Sequence, residues 1–167
     1  MIVSNASPLI YLAKIGRLDL LKQLYASALI TEAVKQEVVD KGKQLGKADA
    51  YAIEKALSAG WLKTSKAPDI KLQIELEEGE KSTISLACSL GESLVLIDEA
   101  AARAAARLVG LEPRGTVFVL LKALQEKLID FDLFLDLLQR LVMEGFWLKE
   151  EVYIEVIKQA RKLAAEK

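Results

Sequence analysis

Four short apolar runs, Met1–Ser4, Ala28–Ile30, Trp61–Thr64 and Leu94–Ile97, punctuate a chain whose intervening apolar residues recur at helical spacing. Parallel neighbours in a sheet require long crossover connections, and strands alternating with helices supply them. The pattern therefore predicts an α/β fold: a three-layer α/β/α sandwich around a central parallel sheet. In such sheets ligands bind outside the carboxyl ends of the strands, so that edge is where functional residues are expected.

Ser7-Pro8 reads as the N-cap and first residue of a helix carrying Leu9, Leu12 and Ala13. Further helices are expected over Leu18–Tyr25, from an N-cap at Thr31 to Val39, and over Ala48–Ala59, Gly79–Leu90 and Glu99–Val109. Gly42–Lys47 reads as a polar loop and Lys66-Ala67-Pro68-Asp69 as a break. After a short extended piece across Pro113, Gly115-Thr116 starts a last third that is nearly all helical: about Val117–Lys127, Phe131–Glu144 and Lys149–Ala164. Phe131, Leu135, Leu138, Phe146 and Trp147 in that third are expected as core. With 167 residues, the leading expectation is a single domain, 1–167, with the helices from about 117 packed on it. There is no internal repeat and no low-complexity segment.

Composition removes several chemistries. The chain has no histidine and one cysteine, Cys88, which excludes Ser-His-Asp and Cys-His catalysis, His-ligated zinc and an internal disulfide. Carboxylate chemistry, Lys or Ser/Thr nucleophiles and hard-cation sites remain. Lys and Arg total 23 against 24 Asp and Glu, so nucleic acid would have to be met by a local basic patch. No uncharged apolar run reaches membrane-span length and no basic leader opens the chain, so a cytoplasmic location is expected and no membrane partner. A single asparagine, Asn5, with abundant Lys and Glu leans towards a thermophilic source.

Two strands deliver polar residues to their carboxyl ends: Asn5 after the first run, and Asp98 with Glu99 after Leu94–Ile97. Glu37 shares a helical stripe with Ala33, Val34 and Val38, and Glu80 precedes Ile84, Ala87 and Cys88 by one and two turns. Charge on an apolar face is costly unless paired or metal-bound, and oxygen ligands without His or Cys suit Mg²⁺ or Mn²⁺. Each residue also has an ordinary structural reading. Asp98 is a common helix cap, Asn5 a common Asx turn, Glu80 meets a helix dipole, Glu37 pairs with a buried cation, and Glu99 pairs with Arg103 four residues on.

Ile2-Val3-Ser4-Asn5-Ala6-Ser7-Pro8-Leu9-Ile10, Glu37-Val38, Leu76-Glu77-Glu78-Gly79-Glu80 before Ile84-Ser85-Leu86-Ala87, and Leu96-Ile97-Asp98-Glu99 with Arg103 together resemble the PIN-domain family. Gly115-Thr116 and Gly145-Phe146-Trp147-Leu148 fit a prokaryotic branch of PIN-like proteins related to VapC-type toxins, so the likeness covers nearly the whole chain. The resemblance implies a Mg²⁺- or Mn²⁺-dependent endoribonuclease with Glu37, Glu80 and Asp98 as catalytic residues and Asn5, Glu80, Asp98 and Glu99 as metal ligands. It implies an RNA substrate, a possible antitoxin partner and a homodimer. Ser7 is expected to help hold the site or a phosphate and Thr116 to meet nucleic acid, and Lys14, Arg103 and Arg114, with Arg17 and Arg107, lie where they would neutralise a nucleic-acid backbone. Asn5 departs from the family, which has an acid there, so the site loses one charge. The alternative is a catalytically weakened PIN fold that binds RNA or protein.

Overall fold

Strands β1 (Ile2–Ser4), β2 (Ala28–Thr31), β3 (Leu62–Ser65), β4 (Leu94–Leu96) and β5 (Glu112–Arg114) form one sheet in the order β3-β2-β1-β4-β5, every neighbouring pair parallel. The structure is a computed structural model that describes residues 1–166; Lys167, the last residue of the expected domain, lies outside them. The helices between the strands are α1 (Ala6–Lys14), α2 (Asp19–Tyr25), α3 (Glu32–Lys35), a π-helical turn (Gln36–Lys41), α4 (Gly42–Gln44), α5 (Ala48–Ser58), α6 (Glu78–Leu90) and α7 (Ala100–Leu108). Helices α8 (Thr116–Gln125), α9 (Phe131–Met143) and α10 (Glu150–Ala165) follow. This is the expected α/β/α architecture.

The chain divides into two compact units, Met1–Thr116 and Val117–Lys167. In the first, the chain steps outward from β1 through β2 to β3, then returns to lay β4 and β5 on the other side of β1. The β1–β4 boundary is thus a topological switch point, where open α/β sheets form their crevice. The register fixes what reaches it. Ser4 pairs with Leu96 and Leu96 with Arg114, so Asn5, Asp98 and Gly115-Thr116 leave the sheet along one edge. The Asn5 N–H donates to the Leu96 carbonyl at 2.9 Å and the Ile97 N–H to the Arg114 carbonyl at 2.8 Å, which holds those exits together.

Val3, Val95 and Ile97 from the sheet side pack with Ile84, Leu86 and Ala87 of α6 and Ala102, Ala105 and Ala106 of α7 in one cluster. Full burial of a side chain such as Ile84 or Leu86 contributes about 1.5–3 kcal/mol. The strap between β3 and α6 closes over the same cluster. Ile70, Leu72, Ile74 and Leu76 pack on it while Lys71, Gln73, Glu75 and Glu77 face solvent. Lys81 of α6 pins the strap's start through Asp69 at 2.9 Å.

Local elements depart from expectation in three places. Helix α1 begins at Ala6 with Asn5 as N-cap, so Ser7 is not the cap and Pro8 is the third helical residue. Gly42–Gln44 is helical and not loop: a Cβ on Gly42 would stand 2.7 Å from the Ala50 Cβ, so this glycine permits a close helix approach. Thr31 does cap its helix, accepting the Val34 N–H at 3.2 Å, but that helix widens into a π turn at Gln36–Lys41. Such turns re-phase the side chains they carry. Glu37 lies in it, off the buried stripe and solvent-exposed, while its carboxylate turns in beside Gly79 and is partly desolvated there.

In the second unit, Asp130 caps α9 by accepting the Leu133 N–H at 2.8 Å. Phe134, Leu137, Leu138 and Leu141 of α9 and Val156 and Ala160 of α10 are buried. Leu138 is core as expected, Phe131, Leu135 and Phe146 are half-buried, and Trp147 is 76% exposed. Among the described residues no helix is long and apolar enough to cross a membrane.

Candidate active site at the sheet edge

Asp98, just beyond β4, accepts from three donors. The Thr116 N–H reaches Oδ1 at 2.7 Å, and the hydroxyls of Thr116 and Ser7 both reach Oδ2 at 2.7 Å. Helix α7 is capped at Glu99 without a side-chain bond, so Asp98 does not serve as its cap. Ser7 and Thr116 each have one hydroxyl proton, and both give it to Asp98. Neither hydroxyl is therefore left as a donor to a phosphate; their work is to fix the carboxylate. Gly115 makes room for this arrangement, since a Cβ there would lie 2.7 Å from Asp98 Oδ1.

Asn5 occupies the N-cap position of α1, yet its side chain makes no cap bond, so the Asx-turn reading does not apply. Its Nδ2 donates to Glu99 Oε2 at 3.4 Å. Its Oδ1 is buried, in a residue only 2% exposed, and has no hydrogen-bond partner. That oxygen lies on the bare face of Gly79 at the start of α6: a Cβ on Gly79 would meet Glu37 Oε2 at 3.2 Å and Asn5 Oδ1 at 3.6 Å. Gly79 thus brings oxygens from α1's cap and from the π turn to one place. Glu80, next in the chain, folds back to accept the Glu77 N–H through Oε2 at 3.2 Å.

The electrostatics reflect this crowding. Desolvation, then Glu77 and Glu80, push the Glu37 carboxyl above the ordinary range, with Lys41 opposing. Desolvation, then Asp98 and Glu80, raise the Glu99 carboxyl, while its hydrogen bonds, including that from Asn5, oppose the rise. Burial raises the Tyr11 phenol, and Asp98 and Glu99 raise it further. Tyr11 lies one turn after Ser7 on α1, and no sequence motif marks it; its spacing of four from Ser7 is the available signal.

The basic residues divide. Burial lowers the Arg103 guanidinium's affinity for its proton, as do neighbouring Arg107 and Arg114, while Asp98 opposes. Arg103 thus stands near Asp98, its guanidinium and the Asp98 carboxylate both lying within 4 Å of where a Cβ on Gly115 would stand. Glu99 is directed to Asn5, not to Arg103 as an i,i+4 partner. Lys14 stands over the Tyr11 ring, 5.3 Å from its centroid. Arg17 is paired with Asp19 at 3.1 Å.

Among the described residues no three Asp, Glu or Cys side chains are gathered closely enough to form a ready-made ion cage. The donor set nevertheless fits a small hard cation. Mg²⁺ keeps several waters and is commonly held by only one or two carboxylates. An unsatisfied buried amide oxygen on the same face of Gly79 as the Glu37 carboxylate is the kind of neutral oxygen that completes such a site.

The family model that matches the chain, over residues 1–162, is that of the PIN domain, and the match spans both compact units. No curated protein and no solved structure matches the chain.

Proposed function

The chain belongs to the PIN-domain family, and from that premise we propose that it is a Mg²⁺- or Mn²⁺-dependent endoribonuclease, acting as the toxin of a toxin–antitoxin pair. The observation that carries this reading is Asn5 Oδ1, a buried acceptor without a partner beside Glu37 and the bare face of Gly79. Buried polar atoms are rarely left unpaired, and a hard cation is the partner this oxygen lacks.

In this reading Asn5, Glu80 and Asp98 offer oxygens to the ion. When bound, the ion supplies Lewis-acid polarisation of a phosphoryl oxygen and stabilises the leaving oxygen. Glu37 accepts the proton of the attacking water, a role suited to a carboxyl whose proton affinity is raised by burial and by Glu77 and Glu80. Ser7 and Thr116 keep Asp98 from rotating. Arg103, Arg107, Arg114 and Lys14 receive backbone phosphates, so binding falls steeply with salt.

A second reading, a catalytically weakened PIN fold that binds RNA or a protein, is favoured by the lack of three converging carboxylates among the described residues. Incubation of purified protein with labelled single-stranded RNA in Mn²⁺, Mg²⁺ or EDTA separates the two. The nuclease reading expects cleavage only with divalent ions, reduced at least about 10²-fold by Glu37→Gln. RNA bound but uncut in every ion supports the second reading in its RNA-binding form, and RNA neither bound nor cut removes both the nuclease reading and that form. A homodimer accompanies the first reading, and a monomer mass by light scattering would remove that part of it.

A further inference from the structure

The carboxyl edge of the sheet continues past Asn5 to β2 and β3, where Thr31 stands in register with Ser65. Just beyond Ser65, between the start of the strap and α6, lies a recess of about 260 Å³, lined by Ala67–Asp69 and by Glu78, Lys81, Ser82 and Ser85. Ser82 joins it to the candidate site: its hydroxyl is 3.2 Å from the Gly79 carbonyl and 2.8 Å from the Thr31 hydroxyl. The groups in the recess differ in what they have left to offer. Ser85 is buried and gives its proton to the Lys81 carbonyl at 2.9 Å, and Ser82 gives its own to Gly79 or Thr31, so both are left as acceptors. Lys81 Nζ has three protons, and the 2.9 Å bond to Asp69 Oδ1 uses one. The Asp69 side chain is 88% exposed, and its second oxygen stays open to a donor. Among the described residues, no backbone N–H or carbonyl from Ala67 to Leu76 has a backbone partner.

We propose that this recess is a nucleobase subsite for single-stranded RNA and that it selects guanine. An ammonium beside a carboxylate, each with capacity unspent, matches a ligand edge that sets an acceptor beside two donors. Guanine carries that edge: O6 for Lys81, and N1–H with the N2 amine for Asp69. Adenine and cytosine offer one donor group there, and uracil one N–H between two carbonyls, so none of them satisfies both side chains. Ala67 and Pro68 supply an apolar wall for the face of the ring. A basic side chain from a protein partner would be repelled by Lys81. The subsite rests on the RNA part of the proposed function and not on the ion.

The test is fluorescence anisotropy of end-labelled single-stranded RNA in EDTA: an all-uridine strand, and the same strand with guanosine, inosine, adenosine or cytidine at its centre. Wild type is expected to bind the guanosine strand at least about tenfold tighter than the all-uridine strand. Adenosine and cytidine are expected near uridine, and inosine, which lacks the N2 amine, in between. Asp69→Ala is expected to lose the guanosine preference while melting near wild type, because so exposed an ion pair adds little stability. Equal binding of the guanosine and all-uridine strands by wild type overturns the subsite, as does a preference undiminished in Asp69→Ala. The same strands incubated with Mn²⁺ separate this outcome from that of the nuclease reading. Cleavage with no base preference removes the subsite and leaves the nuclease standing, whereas guanosine preference without cleavage does the reverse. Binding of no strand removes both.

Discussion

Thr116 donates twice to Asp98, through its backbone N–H to Oδ1 and its hydroxyl to Oδ2, each at 2.7 Å. This fork spans β5 and ties the exit of β4 to the first residue of α8, leaving Ser7 to bring α1 to the same carboxylate. Thr116 is fully buried, so Thr116→Val removes one charge-assisted bond while keeping shape and backbone donor. The expected loss is about 1.5–3 kcal/mol in urea unfolding. Ser7→Ala and Thr116→Val share Oδ2 and are expected to be non-additive in a double-mutant cycle; simple additivity would mean that the two hydroxyls do not act on one group.

Gly115→Ala places a methyl 2.7 Å from Asp98 Oδ1, against a carboxylate that three bonds hold in place. Overpacking of this kind costs about 1–3 kcal/mol. Calorimetric melting is expected to show that loss, and a Gly115→Ala protein as stable as wild type would mean that Asp98 moves freely.

The architecture was legible because the strand pattern is local. Ile2-Val3-Ser4 and Leu94-Val95-Leu96 are short apolar runs whose partners need no knowledge of the rest, and Thr31 announces its helix by capping chemistry. The start of α1 was not legible to one residue, since Pro8 suits the first or the third helical position equally: neither N–H has an intrahelical partner. The π turn at Gln36–Lys41 leaves no mark in composition. The strap at Ile70–Leu76 has a strand's period of two but pairs with no strand, because its apolar side is covered by the core cluster. In the site, the edge residues Asn5 and Asp98 followed from strand ends alone. What each one touches depends on register between β1, β4 and β5, which no periodicity encodes, and so the convergence of the Ser7 and Thr116 hydroxyls on Asp98 was not legible; Ser7 takes the site-holding one of its two expected roles, and Thr116, expected at nucleic acid, joins it there.

Tyr25 buries a hydroxyl that has no hydrogen-bond partner. Leaving such a group unpaired costs about 1–3 kcal/mol. Tyr25→Phe is therefore expected to stabilise the protein, by about 1 kcal/mol, in chemical denaturation. A destabilised variant would mean that the hydroxyl finds a partner in solution.

Cys88 packs half-buried against the core cluster, and burial raises its thiol above the ordinary range. The thiolate is the reactive form, so native Cys88 is expected to be alkylated by iodoacetamide more slowly than free cysteine, with its rate still climbing where the free thiol has levelled. The sign for stability follows: the folded state keeps the proton longer, so this contribution is full below the unfolded thiol's range and is lost as pH rises through the folded one. Alkylation as fast as free cysteine at neutral pH would contradict the burial.

The most direct measurement is a calorimetric titration of Mn²⁺ into the wild-type protein, with cleavage of single-stranded RNA followed in the same samples. The expected result is one saturable ion per chain and RNA cut in step with its occupancy. Heats no different from dilution, with RNA intact at every Mn²⁺ concentration, would contradict a metal-dependent ribonuclease built on Asn5, Glu37, Glu80 and Asp98.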